Sequence, residues 1–471
     1  MARQARQRGQ REGGGGRRLL LGLVFALVAG IVWVGWIKLE GRRPTAELVH
    51  PVTALGRNST IDVHLEDAGT GLAWSRIEVE SNGTTTVLAN ETYPAVTWRG
   101  SGLFDTTVSK PLAPVDNKLG EGPATLKVFA GDYSWRRFIR SEQPILQTSF
   151  TIDLTPPTIE VLSQQHYLKL GGLDFMLYKA SPDATVSGVA VGNYFFPGTP
   201  GLFDDPQIRG AFFAIPQDLD AKATAKAVAE DAAGNRREVT FHTVIKPRTF
   251  PDKTLEIDDA FLERKVPEIL TASSEPAQPD LVQGYLYVNR VIRKKSEERI
   301  RAVTRTSAPT PHWDGAFLRQ PNSAPLAGFG DRRSYRHDGT IIDSATHLGY
   351  DLASLRQAPV VAASTGTVVF ADYLGIYGDA VIIDHGLGIF SLYGHLSAIT
   401  VKAGQEVQRG DTVGRTGETG LAGGDHLHFS IMLYGVHVDP VEWWDGKWIR
   451  DHVTAKLEQY PRATVTARRD G

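Results

Sequence analysis

The run LLLGLVFALVAGIVWVGWI, Leu19 to Ile37, carries no charge, and it constrains the chain more than any other feature. As a helix it would be ~28 Å long at about 1.5 Å per residue, close to the thickness of a hydrocarbon core. Before it stand Arg3, Arg6, Arg8, Arg11, Arg17 and Arg18 against a single acid, Glu12. Such a basic flank stays in the cytoplasm, with everything after Lys38 outside. Trp33 and Trp36 fall where an outer interfacial belt would put them. A cleaved signal peptide is the rival, because Ala26 and Ala29 offer a small-x-x-small site. The apolar run continues through Val32, Trp33 and Ile37, past that site, which favours an uncleaved anchor. The expected topology is a single pass through the inner membrane: residues 1–18 a cytoplasmic basic tail, 19–37 the transmembrane helix, the remainder periplasmic.

A chain of 471 residues is too long for one core, so two to four domains are expected. The net charge of −2 gives no global field that would attract nucleic acid. With 48 Gly and 26 Pro against 3 Met, the composition leans toward β structure. Zero Cys excludes disulfides and thiolate metal sites, so any metal must be held by His, Asp or Glu.

Beyond the anchor, residues 45–153 read as short alternating strands. Ile61, Val63 and Leu65 alternate with Asp62, His64 and Glu66, and Ile77 and Val79 with Glu78 and Glu80. The end of this unit recurs: LKVFAGDYSWRR (Leu126 to Arg137) lines up with AKAVAEDAAGNRR (Ala225 to Arg237), placing Asp132 and Asp231 99 positions apart. That is the length of one immunoglobulin-like sandwich. The D-x-A-G-N stretch, Asp231 to Asn235, looks like the last hairpin of bacterial immunoglobulin-like modules. Two such modules are expected, 45–153 and 154–247, with TPPTIEV (Thr155 to Val161) as a stiff linker. They are expected to act as spacers. The sequons at Asn58, Asn82 and Asn90 are read as chance. Residues 252–307 form a helical connector, because Leu281, Tyr285, Val288 and Ile292 recur at helical spacing; KKSEER is expected to be a solvated face.

From about Pro311 glycine-punctuated strands return, and with them metal chemistry. HLGYD places His347 and Asp351 four apart, YGH supplies His395, and GGDHLHFSI carries His426 and His428. A catalytic zinc takes three N or O ligands and leaves a fourth position open. His347, Asp351 and one histidine of the pair supply that set. Positions i and i+2 of a strand face the same side, so His426 and His428 look into one groove. One can bind metal while its neighbour handles protons, and His395 can add a second such group.

In this order, H-x3-D, Y-G-H-L and G-D-H-L-H-F resemble the M23 family of zinc endopeptidases, the LytM or lysostaphin type. The resemblance covers about residues 312–445 and includes GTVVFAD (Gly366 to Asp372), VKAGQEVQRGDTVGRTGETG (Val401 to Gly420) and VDPVEWW. It implies a mainly β antiparallel-sheet peptidase domain over 308–450, followed by a tail, 451–471. It further implies that His347, Asp351 and His428 bind one Zn²⁺, with His395 and His426 as the catalytic histidines. The division of acid and base between those two stays open. Tyr335 in FGDRRSY is a candidate substrate-site residue, separated from His347 by the insertion-like RHDGTIIDSAT. His385 is read as structural, His437 as lying in a turn, Asp439 as a turn cap; His337, His312 and His166 carry no motif.

The function implied is a membrane-anchored periplasmic endopeptidase acting on the peptide cross-links of peptidoglycan. The helical segment or the modules are placed to occlude its groove, and a regulatory protein partner is open. The alternative is a non-catalytic relative that activates cell-wall amidases, which the complete set of ligand motifs disfavours. A lipoyl-type carrier reading of VKAGQEVQRGDTVG fails because Lys402 stands at the wrong end for a hairpin tip.

Overall fold

The computed structural model describes residues 14–463. Arg3, Arg6, Arg8 and Arg11 of the basic tail, and 464–471 of the C-terminal tail, lie outside the described residues. The chain divides into two compact units, one running up to Pro156 and including Asp231–Asn235, the other Pro157–Glu230 with the chain from Arg236 onward.

In the first unit a helix, Gly14–Lys38, contains the charge-free run. Every side chain from Leu19 to Trp33 is exposed, so no protein core explains its apolar character. The span Arg17–Lys38 is long and apolar enough to cross a membrane. Beyond it, two sheets share one core. One has five strands, in the order Ala54–Leu55, Leu146–Ile152, Gly122–Asp132, Leu72–Ser81, Thr84–Thr92; the other has three, Thr45–Leu48, Thr60–Glu66, Asp105–Pro111. The alternation read from sequence is the reason. Ile61, Val63, Leu65, Ile77 and Val79 are buried with Leu126 and Val128, while the intervening acids face outward.

The second unit opens with another pair of sheets. Strands Tyr194–Pro197, Ala184–Val191, Ala225–Asp231 and Arg236–Thr240 form one; Ile208–Ala214, Leu173–Ala180 and Ile159–Val161 form the other. The two aligned aspartates end equivalent strands and accept a backbone N–H from two residues on, Ser134 and Ala233. Past that point the two repeats diverge. Arg136 and Arg137 sit in a 3₁₀ turn, whereas Arg236 and Arg237 start a paired strand.

The connector is a helix, Asp259–Ala272, capped by Asp258, and a second helix from Leu281 to Val303 interrupted by a π turn at Val288–Ile292. Tyr285, Val288 and Ile292 are buried as their spacing requires. KKSEER is only partly a solvated face. Lys294, Lys295, Glu298 and Arg299 are exposed, but the period that buries Ile292 and Ile300 turns Ser296 inward and Glu297 partly so.

A ten-stranded sheet carries the remaining chemistry. Seven strands run in the order Ala324–Ala327, Tyr350–Ala353, Leu427–Leu433, Ile389–Ile399, Asp379–Asp384, Gly366–Tyr373, Glu406–Val407. Three branch from them, Val436–Val438 on Leu427–Leu433 and Thr412–Thr416 on Ile389–Ile399, with Pro359–Val361 beyond it. Its central strand Leu427–Leu433 is buried at all seven positions, so it is covered on both faces rather than wet on one. The connector is woven into the same unit: Asp252–Glu256 pairs in parallel with Arg332–His337. The stretch after 450 is likewise helical through Leu457 and packs on Leu173–Ala180 through Lys456. The fold is therefore mainly β, with an apolar N-terminal helix and a helical connector.

Candidate metal centre

Asp351 lies on the strand Tyr350–Ala353, directly opposite His428 in antiparallel register, and His347 enters from the loop just before it. The glycine of HLGYD is required by this arrangement. A Cβ on Gly349 would fall onto the His428 ring and come within 2.6 Å of Ser430 Oγ.

Three atoms converge: His347 Nε2 is 2.9 Å from Asp351 Oδ1 and 3.1 Å from His428 Nδ1, and His428 Nδ1 is 3.0 Å from the same carboxylate oxygen. Their protonation is set by the outer contacts. His347 Nδ1 donates to the carbonyl of Gly328, leaving Nε2 as a bare lone pair. Ser430 Oγ donates to the carbonyl of Leu348, so it accepts from His428 Nε2 and leaves Nδ1 bare. Arg333 Nη2 holds the other carboxylate oxygen of Asp351 at 3.0 Å. With the histidines in those neutral tautomers three acceptors face one another, an arrangement that needs a proton or a cation between them. Two imidazole nitrogens and one carboxylate oxygen suit a zinc-type ion.

Two further histidines complete the cluster. His395 donates from Nδ1 to the carbonyl of Thr419 and His426 from Nδ1 to that of Gly424, so both present Nε2 inward. Ring centroids are 4.9 Å apart for His395 and His426, and 5.7 Å for His395 and His428. His395 has φ of 61°, left-handed backbone that is strained for a non-glycine residue. Burial, with His426 and His428 beside it, pushes the His395 imidazole well below its ordinary value. Burial opposes charge on His426 too, but Asp351, 3.6 Å away, outweighs it and raises that imidazole. Burial also brings His428 down to about 4, against the pull of Asp351. Burial disfavours the Asp351 carboxylate, yet His347, His426 and His428 together hold it well below the usual range.

The cluster opens on a cleft of about 740 Å³, whose other wall is the connector, including Leu255, Phe261 and Arg264. Connector side chains also brace the centre. Lys265, buried on the first helix, pairs with Glu268 and donates to the carbonyl of Glu418, while Glu268 accepts from Gly420 N. Between those anchors lies Thr419, whose carbonyl orients His395. From the second helix, Glu297 accepts from Tyr377 Oη at 2.7 Å, and the Tyr377 ring lies 5.2 Å from that of His428.

All five sequence-singled residues His347, Asp351, His395, His426 and His428 are brought together. Tyr335 lines the same cleft but is buried, its ring edge-on to Tyr285 at 5.5 Å. RHDGTIIDSAT is the turn and second strand of a hairpin, Arg332–His337 with Thr340–Thr346. His437 is on a strand, Val436–Val438, rather than in a turn, and faces Glu297 at 3.2 Å; Tyr434 and Gly435, both at positive φ, make the turn one step earlier. His385 is buried between Thr365 and Ser391, and Asp439 caps Pro440–Trp443. Sequence reading missed Arg333, Ser430, Lys265, Glu268 and Glu297. Ser430 had a signal, since it shares the strand face of His428, two positions on.

Four histidines and an aspartate gathered in a cleft define a candidate metal centre. Residues 345–440 match peptidase family M23, so the C-terminal part of this chain is an M23 peptidase domain. The DD-carboxypeptidase/endopeptidase Mpg of Neisseria meningitidis is 40% identical over 95 residues, 20% of this chain and 22% of that protein. The peptidoglycan DD-endopeptidase ShyC of Vibrio cholerae is 34% identical over 127 residues, 26% and 29% of the two chains. Each match thus spans less than a third of the curated relative. A crystal structure of an M23 peptidase from Pseudomonas aeruginosa covers 59% of this chain and 94% of its own, at 22% identity and a TM-score of 0.38.

Proposed function

We propose that this chain is a membrane-anchored periplasmic zinc endopeptidase that hydrolyses peptide cross-links of peptidoglycan. The observation that carries the reading is the convergence of His347 Nε2, Asp351 Oδ1 and His428 Nδ1 within 3.1 Å of one another, flanked by two inward-facing histidines. His347 Nε2, Asp351 Oδ1 and His428 Nδ1 would hold one Zn²⁺, which supplies Lewis acidity toward water and a peptide carbonyl. Ser430 and the Gly328 carbonyl fix the tautomers that aim those nitrogens. His395 and His426, with Nε2 free toward the cleft, take a proton from water and return one to the leaving amine. Thr419, whose neighbours Glu418 and Gly420 bond to Lys265 and Glu268, keeps His395 in place. The connector serves as wall and brace of the groove.

The apolar helix is the anchor, and the two sandwich-like regions, 45–153 and 154–247, are immunoglobulin-like spacers reaching from the membrane toward the wall. Peptidoglycan as substrate rests on the named activity of the Vibrio relative together with this topology. The complete donor set speaks against the non-catalytic amidase activator. Metal analysis of the purified full chain should give one zinc per chain. Mass spectrometry of muropeptides after digestion should show cross-linked dimers converted to monomers. Intact dimers with zinc bound would reject the substrate; absence of zinc would reject the centre.

A further inference from the structure

A second cluster, far in sequence from the zinc centre, has lone pairs with no partner. Glu40, two residues beyond the apolar helix, meets Asp67 and Asp132 of the first sandwich; a carboxylate oxygen from each lies within 4.8 Å of the others. Asp67 and Asp132 are 1% and 2% exposed. Each has one oxygen well bonded. Asp67 Oδ2 accepts from Gly69 N and Gly71 N, and Asp132 Oδ1 accepts from Ser134 N. The second oxygens, Asp67 Oδ1 and Asp132 Oδ2, are buried and accept no hydrogen bond. Buried carboxylate oxygens are rarely left so.

The internal repeat supplies a control. Asp231, the counterpart of Asp132, accepts from Ala233 N and Asn235 N on one oxygen and from the Asn235 amide on the other. In the first module no asparagine stands there, and Asp132 Oδ2 is left without a donor. Glu40 is positioned for it: Thr70 donates to Oε1 from both N and Oγ1, and a Cβ on Gly69 would fall onto the carboxylate. Two cations are near. Arg140 stands 3.7 Å from Asp132 Oδ2, outside hydrogen-bond range, and donates to the carbonyls of Glu40, Gly41 and Arg42. Lys38 donates to the carbonyls of Arg99 and Tyr133. Neither satisfies the orphaned oxygens.

We propose that Glu40, Asp67 and Asp132 form a binding site for a hard divalent cation, calcium, that ties the exit of the apolar helix to the first module. An all-oxygen donor set with carboxylates and nearby backbone carbonyls selects calcium over zinc. Extracellular modules bind calcium with dissociation constants of about 10⁻⁴ to 10⁻³ M, a suitable range for a site with only three acids.

The test uses the full chain in detergent, stripped with chelator, reloaded with zinc, and dialysed against radioactive calcium. One calcium per chain is expected in addition to zinc, in the millimolar range or tighter. Asp132→Asn should weaken calcium binding by at least about tenfold, with resistance to limited proteolysis between Glu40 and Pro156 as the check that this unit is folded. His347→Ala should keep calcium while losing zinc, so the two sites fail separately. Independently of any variant, calcium should raise the melting temperature of the wild-type chain and equimolar magnesium should not. No stoichiometric calcium on the wild type would overturn the proposal, as would an Asp67→Asn, Asp132→Asn double variant that binds as well.

Discussion

Two buried histidine clusters in the same unit have nearly the same ingredients and opposite character. In one, His166 Nδ1 stands 3.0 Å from Asp174 and Nε2 3.1 Å from Ser163 Oγ, the spacing of a nucleophilic triad. Yet Ser163 also accepts from Leu177 N, and Asp174 accepts from Lys456 Nζ at 2.8 Å and from Phe175 N. Every acceptor there meets a donor, and aromatic rings of Phe213 and Phe241 close over the imidazole. At the metal centre three acceptors face each other and open on a cleft. Satisfied polar groups hold a fold together; unsatisfied ones that share a point and a door invite a ligand.

The largest loss is expected at the proposed metal ligands. His347→Ala or His428→Ala should abolish zinc retention and lower kcat/KM by about 10⁴-fold or more, read from metal content and murein digestion. Next come the flanking imidazoles. His395→Ala and His426→Ala should keep zinc but lower kcat by about 10² to 10⁴-fold; zinc lost along with activity would make them ligands instead. Ser430→Ala, which frees the His428 tautomer, should weaken zinc affinity by about 10- to 100-fold in a chelator competition.

The sealed cluster should answer to pH and not to substrate. Burial opposes the Asp174 charge, but His166, His452 and Lys456 bring its carboxyl down to about 2, below the unfolded value near 3.8. Its folded pKa is depressed, so the stability it contributes is present above about pH 4 and lost as pH falls through 2. Its share of the loss should be about 2 kcal/mol, read as the difference between wild type and Asp174→Asn in denaturant melts compared at pH 5 and pH 2. Smallest of all, Ser163→Ala should cost about 1 kcal/mol and leave murein hydrolysis unchanged. A marked loss of turnover would mean that this cluster is a second active site.

Much of the site was legible because its residues are local to strands. His426 and His428 two apart, and His347 and Asp351 four apart, fix which side chains can share a groove once the strand is recognised. The supporting contacts were not legible. Lys265 grips a carbonyl 153 positions away and Glu297 faces a histidine 140 positions away, and no local period announces either. KKSEER looks like a solvated helix face because charge dominates it, while the helical phase set by Ile292 and Ile300 buries part of it.

By itself, then, the sequence determined a helix too apolar for water, strands that alternate, and a metal chemistry restricted to His, Asp or Glu. Those come from composition and periodicity, which act along the chain. Only the tertiary structure decided which lone pairs are bare. That depends on which donors come near each oxygen and nitrogen, and those donors arrive from distant segments. Asp132 and Asp231 differ for a local reason instead: the amide of Asn235 satisfies the second oxygen of Asp231, and no asparagine stands at the matching position after Asp132.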